Sequence, residues 1–448
     1  MRRHDQRPEV GKAPRWRFAE PDQFWLDNGL HVLLCHRPGQ HVAAACLSLD
    51  LPLNLEPEHI EGVATIAQRV LDEGTEQHPG ATFAESMENI GAALDGSVGL
   101  SASQLFLSVP VGRLPEALAL LAEAARSPRF ENADIERHQQ LRLAEIEQTL
   151  AHSSSLAQLT FRAACVRRRW RASRAPGGTT ATVSAITPAA VREFHAAYYH
   201  PEGATLIISG DLEGGIRTAI NAAFGDWVVP GTVDAIHQVP TPRLPHRWLV
   251  DRPGAVQADI RLGVFGIDRA DPRWPDVQVA TRAVGGAFLS RLNKVLREEL
   301  GFTYGVHLVN LPMRDGGLLA VQGSFRTEVV AEAVSRAEGL LDLTARPLTE
   351  AEVTEAVTFT LGSSPLRYST AHQVTENLAA LVAAGLTAQF INANARALAQ
   401  VTPASATTTL AELLPQDRLS LVVVGDAEAL AEPLAQAGWP TTRVVPQA

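Results

Sequence analysis

One layout occurs twice in this chain. Arg37-Pro38-Gly39 recurs as Arg252-Pro253-Gly254, Thr187-Pro188-Ala189 as Thr402-Pro403-Ala404, and Gly210-Asp211 as Gly425-Asp426. Three separated anchors thus share a single offset of 215 residues (252 minus 37, 402 minus 187, 425 minus 210). An apolar alternation follows the same shift. Ala43, Ala45, Leu47 and Leu49 map onto Ala258, Ile260, Leu262 and Val264, the pattern of a strand with one buried side. Solenoid repeats run at roughly 20 to 50 residues, so a period this long marks duplicated domains. At 448 residues the chain also exceeds the size at which a single core stops growing, about 250 to 300 residues.

Within the first half, strands are expected at His31–Cys35, around Leu47, at 94–101 and 104–110, and at Thr205–Ser209. Helices are expected from Gly62 to Asp72 with Gly74 as the stop, over 83–90, along the Leu114, Leu118, Leu121 stripe, and over 134–150 and 156–170. Thr187 caps a further helix to Tyr199. The segment Arg174-Ala-Pro-Gly-Gly-Thr-Thr180 reads as a mobile loop; no strand feeds it and no Gly-Lys-Ser/Thr follows, so it is no phosphate cradle. The second half repeats this order and ends on a strand at 419–424. Mixed elements in two copies define an α+β fold of two homologous tandem domains, each a mixed or antiparallel sheet packed with helices. The expected boundaries are a loose tail at 1–15, a domain at 16–227, a Pro-rich linker at 228–245 and a second domain at 246–448.

A net charge of −10 argues against a nucleic-acid partner. No stretch approaches the roughly 20 apolar residues of a membrane span, and the basic N-terminus has no hydrophobic run behind it. Cys35, Cys46 and Cys165 are odd in number and form no Cys-x-x-Cys pair, which reads as buried free thiols in a reducing compartment. With the Ala- and Arg-rich composition, these features point to a bacterial cytoplasm.

Gly62-Val63-Ala64 and Leu71-Asp72-Glu73-Gly74-Thr75 form a frame around positions 65 to 69. With it, nearly the whole chain resembles the M16 family of zinc metallopeptidases, the pitrilysin, insulin-degrading and mitochondrial-processing group. In active members this helix carries an inverted His-x-x-Glu-His motif. Here Thr65 and Arg69 stand where the resemblance places the two histidines, and Gln68 where it places the general-base glutamate. Glu145 fits the third ligand position, 76 residues past Arg69. Zinc takes imidazole, thiolate or carboxylate donors. A guanidinium offers none, and an amide cannot take a proton from a bound water. None of the 14 histidines lies three or four residues from another, so no second pair shares a helical face. The plainer account of these positions is a polar helix face with Arg69 paired to Glu145.

The second half keeps its motif. Gly285-Gly286-Ala-Phe-Leu-Ser290-Arg291-Leu292 and Arg297-Glu-Glu-Leu-Gly301-Phe-Thr-Tyr304-Gly305-Val306 resemble the family's C-domain signature, in which an arginine and a tyrosine stand seven residues apart. The resemblance implies that Arg297 and Tyr304 reach the substrate carbonyl and the tetrahedral intermediate. Both are donors suited to an oxygen gaining negative charge. Otherwise Arg297 ends an amphipathic helix and meets its C-terminal dipole, and Tyr304 fills a strand face with its hydroxyl in water.

A lost zinc helix beside a kept Arg/Tyr motif implies the non-zinc subunit of a heterodimeric M16 metallopeptidase. Such a chain is inactive alone and has no cofactor of its own. It would help enclose a peptide, with zinc held by a partner that bears an intact His-x-x-Glu-His. The alternatives are a scaffold of the bc1-core type and a zinc-free homodimer that binds peptides.

Overall fold

The computed structural model describes residues 16–212, 214–228 and 235–445. The expected tail at 1–15 and residues 229–234 of the expected linker lie outside them. Among the described residues twelve strands form two sheets of six. The first contains β1 (Asp22–Trp25), β2 (His31–His36), β3 (Val42–Leu49), β4 (Ala93–Val98), β5 (Ser103–Pro110) and β6 (Thr205–Gly210), in the order β1-β2-β6-β3-β5-β4. The second contains β7 (Arg247–Asp251), β8 (Gln257–Gly266), β9 (Val306–Pro312), β10 (Gly317–Arg326), β11 (Ser420–Gly425) and β12 (Thr442–Val444), in the order β12-β7-β11-β8-β10-β9. Both are mixed sheets, with helices packed against them, as expected for α+β.

The repeated anchors have local causes. In the parallel pair β2–β6, His36 lies opposite Gly210, and in β7–β11 Asp251 lies opposite Gly425. Just beyond, the Pro-Gly turn of each half is fastened to the end of that strand. Arg37 N donates to Gly210 O at 2.7 Å and Arg252 N to Gly425 O at 2.8 Å. The neighbouring aspartate completes the clamp: Gly39 N donates to Asp211 Oδ2 at 2.9 Å and Gly254 N to Asp426 Oδ2 at 2.8 Å. Thr187 and Thr402 are N-caps that accept from Ala190 N and Ser405 N, with proline in the first turn where no donor is needed.

The expectation of strands with one buried side is corrected. Seven of the eight residues of β3 are buried, from Ala43 to Leu49, and β8 is nearly as enclosed. One face of each sheet carries the main core of its own half. The other face is covered by a helix from the opposite half. Val374, Leu378 and Ala379 of the helix Ala371–Ala383 pack on Leu33, Cys46 and Ile207 of the first sheet. Leu156, Phe161 and Ala164 of the helix Ser153–Cys165 pack on Leu318, Val422 and Val424 of the second. The halves are therefore bound by a reciprocal exchange of helices, and the three cysteines are buried and free within these faces.

Two further expectations change. The helix placed at 156–170 stops at Cys165, because Val166 bridges Pro242 and Arg167 N donates to Thr241 O at 3.3 Å, which ties the chain to the far side of the linker. The supposed mobile loop at 174–180 is held fast. Arg174 pairs with Glu61 at 2.6 Å, Arg142 Nε donates to Gly177 O, and Thr179 caps a short helix at 180–184. Among the described residues no helix is long and apolar enough to cross a membrane.

Candidate functional site

The helix Val63–Arg69 begins at Gly62, whose φ of 105° is open to glycine at little cost. A side chain there would also meet Gly177 O at 2.9 Å. The first amides of the helix are satisfied by Glu56, which accepts from Gly62 N at 2.9 Å and Ala64 N at 3.1 Å. Glu56 is buried and its other oxygen meets Arg171 Nη2 at 2.8 Å. Arg171 further donates to Ala175 O and Pro176 O, so one buried cation joins the helix start to the 171–178 segment. Sequence reasoning missed Glu56, Glu61, Arg171 and Arg174. They are spread over 119 positions (174 minus 56 plus one) and no local pattern connects them.

The helix packs beside β4, the edge strand of the first sheet. Gln68 is only 5% exposed. Its Oε1 accepts from Ser103 Oγ at 2.5 Å and from Tyr199 Oη at 3.2 Å, and its amide lies over Gly96 of β4, where a Cβ would collide with it. On the polar helix face expected from the sequence, Gln68 is thus an internal hydrogen-bonded group. Thr65 is half-buried on the same helix.

Arg69 meets Glu145 in a two-pronged pair, Nη1 to Oε1 and Nη2 to Oε2, both at 2.9 Å. Arg142 adds a third bond to Glu145 at 3.0 Å. Partial burial acts upward on the Glu145 carboxyl, but the two arginines outweigh it and hold the group below its ordinary range. The residues at the zinc-motif positions do not fit the metal. Arg69 puts a permanent cation where a ligand would stand, and it occupies the carboxylate that remains. Among the described residues no group of three or more His, Cys, Asp or Glu side chains is placed to hold a metal ion.

The second motif is organised by Asn293. Its amide donates to Ala287 O and Ser290 Oγ, and its Oδ1 accepts from Val306 N at 3.1 Å, so the glycine turn and the start of β9 are tied to one buried side chain. Gly285 permits close packing, since a Cβ there would lie 2.2 Å from Leu308 N on β9. Arg291 fixes the base of the motif through Glu352 and the carbonyls of Arg346 and Pro347.

Arg297 lies in a π-helical segment, Asn293–Glu299, in place of the expected end of an α-helix. Its Nε donates to Glu298 Oε1 at 2.7 Å, its Nη2 donates to Phe288 O at 2.9 Å, and its guanidinium carbon sits 3.7 Å from the Phe288 ring centre. Tyr304 stands in the turn before β9, 99% exposed. The turn itself is firm. Thr303 Oγ1 donates toward Gly305 O and Ser324 O and accepts from Gly305 N. Tyr304 therefore lines an open cleft with Gln257, His307 and Arg326, on the edge of the second sheet. Arg297 and Tyr304 share no hydrogen bond, and the Tyr304 hydroxyl has no partner among the described residues.

Residues 31–171 match the family described as Insulinase (Peptidase family M16), and residues 185–359 match Peptidase M16 inactive domain. The chain belongs to the M16 peptidase family. It is similar to an uncharacterized zinc protease of Mycobacterium tuberculosis, with 26% identity over 357 residues, 78% of this chain and 79% of the relative. The fold matches the crystal structure of a peptidase M16 inactive domain from Pseudomonas fluorescens with a TM-score of 0.83 at 21% identity, over 96% of this chain and all of the other. A chain of Complex III2 from Candida albicans matches with a TM-score of 0.76 at 15% identity, over 94% of this chain and all of the other.

Proposed function

We propose that this chain is the non-zinc subunit of a two-chain M16 metallopeptidase, and that it supplies Arg297 and Tyr304 to a partner that holds zinc and the general base. The observation that carries this reading is Tyr304. A large ring fully in water forgoes the stabilisation that burial gives, yet its turn is rigidly built, so the side chain is presented outward rather than left loose. In the partner's site the phenol donates to the carbonyl oxygen of the scissile bond as that oxygen gains charge. Arg297 is already oriented by Glu298 and Phe288, and its Nη1 is free to point at the same oxygen or a neighbouring carbonyl. Preorganised donors of this kind lower the barrier because they need not reorient during the reaction.

The likeness to a chain of Complex III2 favours a second reading, a scaffold of the bc1-core type. A scaffold need not keep the Arg/Tyr pair together. Mixing separates the two: this chain is combined with an M16 protein that bears His-x-x-Glu-His, and peptide hydrolysis is followed. Activity that needs both chains supports the subunit reading. Full activity of the zinc-bearing protein alone, with no stable complex, overturns it.

A further inference from the structure

A cavity of about 360 Å³ opens between the helices Trp274–Thr281, Ala371–Ala383 and Gln389–Leu398, against β9. Its lining reaches the second motif, with Arg282 three residues before Gly285 (285 minus 282), and it is chemically one-sided. Arg269, Arg282 and Arg367 line it, and no aspartate or glutamate does. Elsewhere in the chain Arg69, Arg171 and Arg291 find carboxylates, and the buried Arg162 and Arg261 find carbonyl, amide or hydroxyl oxygens. Among the described residues none of these three arginines makes an ion pair or a side-chain hydrogen bond. Arg282 instead lies 3.3 Å from the centre of the Phe359 ring. Glu355 acts on Arg282 only from beyond the cavity wall.

Guanidinium groups stay charged in proteins, so three of them around one cavity repel each other; Arg269 and Arg282 are half-buried and pay a desolvation cost that no carboxylate in the lining offsets, while Arg367 is exposed at the rim. Burial works against the charge on Arg269 and on Arg282. The same wall holds an orphan acceptor. Asn394 Oδ1 is buried without a partner, while its amide nitrogen is already committed to Gln278 Oε1 at 2.9 Å. Cations without anions and an acceptor without a donor describe the complement of one ligand.

We infer that this cavity binds a small ligand bearing a carboxylate with a hydrogen-bond donor next to it, the chemistry of a free peptide C-terminus with its last amide. The carboxylate meets the arginines, and the adjacent N–H serves an asparagine oxygen. A cavity of this size falls within the range of small-molecule sites, about 300 to 1,000 Å³.

The test uses the purified full chain alone, so its outcome is separate from whether the chain joins a peptidase. Calorimetric titration compares N-acetyl-alanyl-alanine, its C-terminal amide and inorganic phosphate. The acid is expected to bind saturably, and the amide about tenfold or more weaker, the loss of one charge-assisted bond. Arg282→Gln and Arg367→Gln should each weaken the acid by a similar factor, and Arg367→Lys should restore part of it. Asn394→Ala should weaken the acid and leave any phosphate binding unchanged. Thermal unfolding of each variant separates lost binding from lost fold. No saturable binding of the acid, equal binding of acid and amide, or phosphate binding as well as the acid would overturn the assignment.

Discussion

The two halves of the molecule build the same sheet and then treat their motif residues in opposite ways. In the first half Gln68 is bonded to Ser103 and Tyr199, and Arg69 and Glu145 satisfy each other. In the second half a rigid turn holds Tyr304 in water with its hydroxyl unpaired. Side chains that close on one another have been absorbed into the structure of the chain. A side chain held outward on a firm base is available to something outside it.

That contrast can be broken most forcefully at Glu56, which holds the closed site together. Glu56→Gln leaves Arg171 short of its main counter-charge inside the protein, where breaking such a pair costs about 3 to 5 kcal/mol. Chemical denaturation should show a loss near the lower end of that range, because Arg171 keeps three backbone and side-chain acceptors. A loss below about 1 kcal/mol would mean that the network is not what fixes the helix. A sharper comparison restores the motif with Thr65→His, Gln68→Glu and Arg69→His. Zinc affinity is expected to fall about 10- to 100-fold short of an intact site, since the groups that orient ligand imidazoles are not in place. Binding as tight as an intact site, read by competition with a chelator, would show that the surroundings had been kept.

Smaller effects distinguish the two clamps. Arg69 and Glu145 are partly exposed, so Arg69→Met should cost no more than about 1 kcal/mol. A larger cost would make the pair a structural keystone. In the second half, partial burial acts upward on Glu352, but Arg291 and the Thr349 cap outweigh it and hold the carboxyl down at about 2, from an ordinary 4.5. A carboxyl with a depressed folded pKa contributes stability that is complete above its unfolded pKa and fades as pH falls through the folded one. Thermal unfolding from pH 5 down to 2 should therefore show a loss that is shallower in Glu352→Gln. Identical slopes would contradict it.

The sequence made the duplication legible because its anchors are local devices: a Pro-Gly turn with its aspartate, and a threonine cap before proline. Positions 65, 68 and 69 and the Arg297/Tyr304 pair could be singled out as candidates because a long motif frames each. The reciprocal helix exchange was not. An alternating strand such as β3 shows one apolar face, and small residues such as Ala44, Cys46 and Ser48 on the other do not announce that a helix from 330 residues away will cover them (374 minus 44). The Glu56–Arg171 network escaped for the same reason, because charged residues far apart in sequence carry no periodic signal. The arginine-lined cavity joins Arg269, Arg282 and Arg367 across nearly 100 positions (367 minus 269) and exists only once the helices are packed.

The central claim is that the second half's motif acts on a partner's substrate. Its most direct test is the turnover of a complex reconstituted with a zinc-bearing M16 partner, comparing wild type with Arg297→Ala and Tyr304→Phe. Removing one preorganised oxyanion donor should lower kcat by about 10²- to 10³-fold, with complex formation and the partner's zinc content unchanged. Wild-type kcat in both variants, in an intact complex, would contradict the claim and leave the scaffold reading as the better account.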